Sequence, residues 1–126
     1  MFTLICGHPR AGKTTYSNRY ENVIHLDTDG LYRGVLQKVK RSSDSIVVEG
    51  VYNWRSQRIE LLGAYNGKGK KMCIWLDTPK CIRQERTKAK VHDLPFEPPT
   101  YAEGWDEIVI MRDNDHKRVE VIKRGE

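Results

Sequence analysis

The chain has 126 residues, with 22 Lys and Arg against 17 Asp and Glu, for a formal net charge of +5. That length suits one domain, residues 1–126, around one modest core, and leaves no room for a second catalytic domain. Hydrophobic residues make up 38% and charged residues 31%, and no apolar run nears the ~18–20 residues of a membrane span; the composition therefore excludes a membrane-embedded chain, and its cationic surplus favours a polyanionic partner.

A strand is predicted over residues 2–6, and it runs directly into Gly7, His8, Pro9, Arg10, Ala11, Gly12, Lys13, Thr14 and Thr15. These nine residues spell G-x-x-x-x-G-K-[ST], and the order strand, glycine-bounded loop, helix is the context that makes the pattern a phosphate site. Gly7 and Gly12 permit backbone angles that a side chain would obstruct, so that successive N–H groups can turn inward around a polyphosphate. Lys13 is placed to reach the β/γ-phosphates of ATP, and the Thr14 hydroxyl to ligate Mg²⁺. A helix over 13–20 would point its positive end at the same anion. His8 falls inside this loop as a variable position rather than a catalyst.

The second strand, 22–26, ends in Asp27-Thr28-Asp29-Gly30, and two chemistries compete for it. Read as a haloacid-dehalogenase-type phosphatase motif, Asp27 is the nucleophile and Asp29 the general acid. That chemistry also needs an acidic pair at a later strand end, which the chain lacks, and it leaves the phosphate loop unexplained. Read as a kinase, one carboxylate faces the γ-phosphate and takes the proton of an attacking hydroxyl. Asp27 emerges directly from the strand and is the better-held base. Asp29 either caps the next helix or contacts the substrate.

That helix spans 30–41, with Leu31, Val35 and Val39 on one face and Arg33, Gln37, Lys40 and Arg41 on the other. Ser42-Ser43-Asp44 breaks the chain before a strand at 45–48; a helix over 53–65 carries Ile59, Leu61 and Leu62. A fourth strand covers 71–76, a charged helix 79–90, a fifth strand 107–111, and an edge strand is placed over 117–123. The fold class is α/β: a five-stranded parallel sheet covered by helices on both faces. Ligands in such sheets sit beyond the carboxyl ends of the strands, which gathers residues 7–15, 27–33, 49–53 and 77–90 around one cleft. Lys80, Arg83, Arg86, Lys88 and Lys90 crowd the segment that would close over it, where cations offset charge spreading onto a transferring phosphoryl group. Arg86 is the first choice for that role and Arg83 the second. Tyr32, Tyr52 and Trp54 are candidates either for packing or for stacking on an acceptor base, and Trp75 belongs to the core.

Residues 7–15, Asp27-Thr28-x-Gly30, Val48-Glu49-Gly50-Val51-Tyr52-Asn53 and Phe96-Glu97-Pro98-Pro99-Thr100-x-x-Glu103-Gly104-Trp105 together resemble the kinase domain of polynucleotide 5′-hydroxyl kinases, from residue 2 to about 111. The resemblance implies a P-loop kinase-type three-layer sandwich, here with a short lid and a reduced acceptor insert over about 28–44. It implies transfer of the ATP γ-phosphate to a hydroxyl, foremost the 5′-hydroxyl, of DNA or RNA, with Mg²⁺. By the same resemblance Lys13 and Thr14 hold the phosphates and the metal, Asp27 is the base, and Glu49 holds a Mg²⁺-bound water where relatives carry Asp. Asn53 and Arg58 match substrate-side positions, Arg86 matches a lid Arg, and Lys90 replaces the second. Relatives commonly carry an Arg three residues after the base; here that position is Gly30, and Arg33 is the candidate substitute. The open acceptor face suits a large substrate. The alternatives are a kinase of a hydroxymethyl-modified base in DNA, a small-metabolite kinase, or a nucleotide-binding module without catalysis. Cys6, Cys73 and Cys81 form no C-x-x-C pair, and residues 1–6 have no basic flank; both suggest a reduced, cytoplasmic protein without a leader or a disulfide frame. The four histidines show no metal-ligand spacing.

Overall fold

The computed structural model describes residues 1–25, 32–42, 45–91, 94–112 and 119–122. The strands are β1 (Phe2–Gly7), β2 (Val23–His25), β3 (Ile46–Gly50), β4 (Lys71–Leu76), β5 (Glu107–Met111) and β6 (Val119–Ile122). They form a mostly parallel mixed sheet in the order β2-β3-β1-β4-β5-β6. Four helices accompany them among the described residues: α1 (Lys13–Ser17), α2 (Tyr32–Arg41), α3 (Arg55–Ala64) and α4 (Lys80–Glu85). Strands β1 to β5 are parallel, as expected for near-continuous apolar runs separated by helices. The sheet has six strands rather than five because the tail folds back as β6, antiparallel to β5, with Ile108 opposite Ile122 and Met111 opposite Val119. An antiparallel return needs only a short connection, so it can follow β5 without a crossover helix.

All six residues of β1 are buried, and their alternation divides the core between the two faces of the sheet. Phe2, Leu4 and Cys6 pack with Val35 and Val39 of α2, Leu61 and Leu62 of α3, and Trp75, Trp105 and Ile108. Ile5 belongs to the opposite face, with Ala11, Tyr16, Ile74, Leu76 and Val109. Trp75 is therefore a core residue, as its strand position predicted. Ile59 is 50% exposed because Leu61 and Leu62 take the sheet-facing side of α3. Tyr52 is buried and unavailable for stacking, whereas Trp54 is 42% exposed. The first helix is also shorter than expected: it ends at the Asn18 cap, and Asn22 turns the chain with a left-handed φ of 55°.

The chain leaves β1 toward β2 and β3 on one side, and reaches β4 and β5 on the other. The crevice outside the carboxyl end of β1 is thus the point where strand order reverses, the usual ligand position in open α/β sheets. Gly7 ends β1 there, Ile5 is level with Glu49 of β3, and Gly7 is level with Leu76 of β4. No helix among the described residues is long and apolar enough to cross a membrane.

Candidate phosphate-binding site

The loop over residues 7–15 lies at that crevice, and each of its turns has a local cause. Gly7 has no room for a side chain: a Cβ there would lie 2.7 Å from the Leu76 carbonyl oxygen. Gly12 takes a left-handed conformation, φ 96° and ψ 20°, immediately before α1. Arg10 is left-handed as well, at φ 69°, an uncommon state for a residue with a side chain. The surroundings hold this backbone in place. Thr78 donates its hydroxyl to the Ala11 carbonyl at 2.8 Å, the Arg86 guanidinium donates to the Arg10 carbonyl at 2.8 Å, and the Ala11 N–H donates to the His8 carbonyl at 3.1 Å.

Lys13 opens α1, and its side chain turns back into the loop, where Nζ donates to the His8 carbonyl at 2.7 Å. Only 9% of this residue is exposed. Burial pulls its pKa down to about 8; the Glu49 carboxylate opposes that fall and the Arg83 guanidinium adds to it. The ammonium thus sits inside a turn of backbone, with one anion and one cation in electrostatic range. The Thr14 and Thr15 side chains, on the first turn of α1, are exposed. Glu49 is buried at the end of β3, and its Oε2 is 2.7 Å from His25 Nδ1 on β2.

Arg83 is 3% exposed and donates from Nε to the Thr78 carbonyl at 3.1 Å, so the same short segment anchors both the loop and a second cation. Pro9 and Arg10 form one wall of a cavity of about 280 Å³, and Thr87, Ala89, Lys90, Val91 and Leu94 form the other. Arg86 and Lys90, both expected near the phosphates, therefore lie against the loop. His8 also has a defined place. Its Nε2 is 2.8 Å from the Leu94 carbonyl, and its ring is 5.2 Å from that of Phe96, which stacks on Trp75 at 5.3 Å.

Asn53 donates Nδ2 to the Pro95 carbonyl at 2.9 Å, linking the end of β3 to the proline-rich segment. Arg58, expected at the substrate, is instead completely buried and structural. Its Nε donates to Glu103 Oε1 at 2.8 Å, its Nη1 to the Tyr52 carbonyl at 2.7 Å, and its Nη2 to the Glu97 carbonyl at 2.7 Å and to Glu103 Oε2 at 3.1 Å. Burial works against the charged guanidinium, but Glu103 outweighs it and raises the Arg58 pKa. Glu103 also accepts from the Trp105 indole at 3.0 Å and from the Thr100 N–H at 2.9 Å. The F-E-P-P-T-x-x-E-G-W segment is consequently a clamp, closed by a 3₁₀ turn at Tyr101–Glu103 that ends on left-handed Gly104, φ 117°. It fixes Tyr52, itself left-handed at φ 41°, directly after β3.

Arg33 is not beside the loop; it lies on the groove between α2 and α3. Asp27 and Asp29 lie outside the described residues. The sequence offered no sign of Thr78 as a loop anchor, since a lone Thr after a strand has many uses. The His25–Glu49 pair was detectable only through strand register, which sets the two side by side on neighbouring strands. Comparison with protein-family models and with curated proteins finds no match.

Proposed function

We propose that this chain is a P-loop kinase that transfers the γ-phosphate of ATP to a hydroxyl, foremost the 5′-hydroxyl, of DNA or RNA. One observation carries the reading: the Lys13 ammonium is held inside the residue 7–15 turn, at the carboxyl end of the central strand, 2.7 Å from the His8 carbonyl. A buried cation satisfied by one loop carbonyl is poised to exchange that carbonyl for phosphate oxygens, which bind it more strongly. Left-handed Arg10 within the turn represents stored strain of about 1–3 kcal/mol, which concentrates at functional sites.

The groups around the loop suit Mg²⁺, which binds through one or two carboxylates and substrate phosphates and keeps its remaining waters. The exposed Thr14 hydroxyl and the Glu49 carboxylate are the residues that would hold it, and the ion would neutralise charge on the phosphates. Lys13, Arg83 and Arg86 supply fixed positive charge around the same position. Asp27, two residues beyond the end of β2, is assigned the proton of the attacking hydroxyl. The surplus of 22 basic over 17 acidic residues agrees with a polyanionic acceptor.

Incubation of the protein with radiolabelled ATP, 5′-hydroxyl oligonucleotides and a panel of small hydroxylated metabolites tests the reading; label is expected on the oligonucleotides. Label on metabolites alone would replace the acceptor, and ATP hydrolysis without transfer would leave only a nucleotide-binding module. Asp27→Asn is expected to lower transfer ~10²–10⁴-fold while sparing ATP affinity. Retained activity in Asp27→Asn together with loss in Asp29→Asn would move the base to Asp29.

A further inference from the structure

Helices α2 and α3 enclose a groove of about 370 Å³ that the phosphate site does not use. Its floor is Leu36, Gly63 and Ala64; Arg33, Gln37 and Lys40 stand along the α2 rim, and Glu60 along the α3 wall. Each wall is fixed from behind, by Val35 and Val39 on α2 and by Leu61 and Leu62 on α3, all buried in the core. At the lower end Asn66 donates Nδ2 to the Lys40 carbonyl at 2.6 Å and ties the end of α2 to the chain leaving α3. The groove is therefore preformed. Gly63 faces open space, where a Cβ would meet nothing within 4 Å, so a larger side chain placed there would project into the groove.

Its chemistry is two-sided. An apolar floor with a cationic rim fits a ligand whose repeating unit has a flat apolar body and a negative link. Arg33 and Lys40 are seven residues apart, about 10 Å along the helix at ~1.5 Å per residue, so one rim can engage successive phosphates. Glu60 leaves the rim net positive and is an acceptor for the exocyclic amine of a base. Arg33, at the start of α2, is the end of the groove nearer in sequence to Asp27.

We infer that the α2–α3 groove binds single-stranded nucleic acid, holding a base on the Leu36–Gly63–Ala64 floor and neighbouring phosphates on Arg33 and Lys40. This rests on the nucleic-acid reading of the function and adds a second contact surface to it, away from the phosphate loop.

The test is binding of fluorescent single-stranded oligonucleotides without ATP, comparing a dinucleotide with a strand of about ten nucleotides, within the site sizes seen for single-strand binders. The long strand is expected to bind more tightly, and Gly63→Leu, which fills the groove, to lower its affinity about tenfold while leaving the dinucleotide unaffected, as expected for loss of a small apolar contact area. Arg33→Ala with Lys40→Ala should reduce the slope of log affinity against log salt by about 1.4, two phosphate contacts at ~0.7 each. Unchanged melting temperature and Mg–ATP affinity establish that the variants are folded. Equal binding of long and short strands by the unmodified protein, indifference of long-strand binding to Gly63→Leu, or equal competition by polyglutamate would overturn the inference. Phosphate transfer that persists under those results overturns the groove alone. Groove-dependent binding without any transfer to 5′-hydroxyl ends overturns the kinase reading alone.

Discussion

Arg58→Ala is expected to destabilise the fold by about 3–5 kcal/mol, the usual consequence of removing one partner from a buried ion pair. Arg58 is 0% exposed, and its loss leaves the Glu103 carboxylate, almost as deeply buried, with only the half-exposed Arg55 guanidinium at 3.8 Å as a cationic partner. The Tyr52 and Glu97 carbonyls lose their donor as well. Because a domain of this size has a net stability of only about 5–15 kcal/mol, the variant should lose a large share of it. Urea titration followed by circular dichroism gives the number. Glu103→Gln, which keeps the shape but removes the charge, should fall between the two. The double change Arg58→Met with Glu103→Leu should cost less than the sum of the single changes, since neither charge is then left alone. A midpoint for Arg58→Ala equal to that of the unmodified protein would return Arg58 to the pool of substrate-binding candidates.

The second large effect concerns Lys13. Its folded pKa is about 8, below the ordinary 10.5, so between these values the unfolded chain binds the additional proton. Stability of the nucleotide-free protein should therefore rise as pH increases from about 8 to 10.5, and be lowest below that window, where a charged ammonium must be kept buried. Lys13→Met should remove this pH dependence and raise stability at neutral pH by about 1–3 kcal/mol, a gain typical of substitutions that relieve a strained functional site. Nucleotide binding has the opposite dependence. Polyphosphate beside the ammonium holds its proton on, so affinity for Mg–ATP should be flat below pH 8 and fall about tenfold by pH 9. Thermal unfolding and calorimetric titration over this range check the two slopes, and neither slope should survive in Lys13→Met.

Much of this architecture was readable in the sequence because it follows from periodicity. Apolar runs such as 2–6, 71–76 and 107–111 are continuous because both faces of a parallel sheet are buried, and glycines mark the phosphate turn by steric need at Gly7 and φ at Gly12. What was not readable depends on contacts between distant segments. Arg58 looks like any surface arginine on an amphipathic helix until a segment about 40 residues later folds over it, and only then is its partner Glu103, 45 residues on, identified. The resemblance to polynucleotide kinases places Arg58 at the acceptor, and tertiary packing gives it a different task. Arg33 likewise could be assigned to a helix face, but not to the groove that α3 creates opposite it. The edge strand expected over 117–123 forms as β6, but its antiparallel pairing with β5, which makes six strands of the expected five, appears only once β5 is in place.

The central claim is that residues 7–15 grip the phosphates of a nucleotide through Lys13. Calorimetric titration of Mg–ATP into the unmodified protein and into Lys13→Ala at neutral pH tests it most directly, with turnover measured on the same samples. The account predicts saturable binding that weakens ~10–100-fold in the variant, as loss of charged hydrogen bonds to phosphate requires, and turnover lower by a further ~10²–10³. Equal affinity and equal turnover in the two proteins would contradict it.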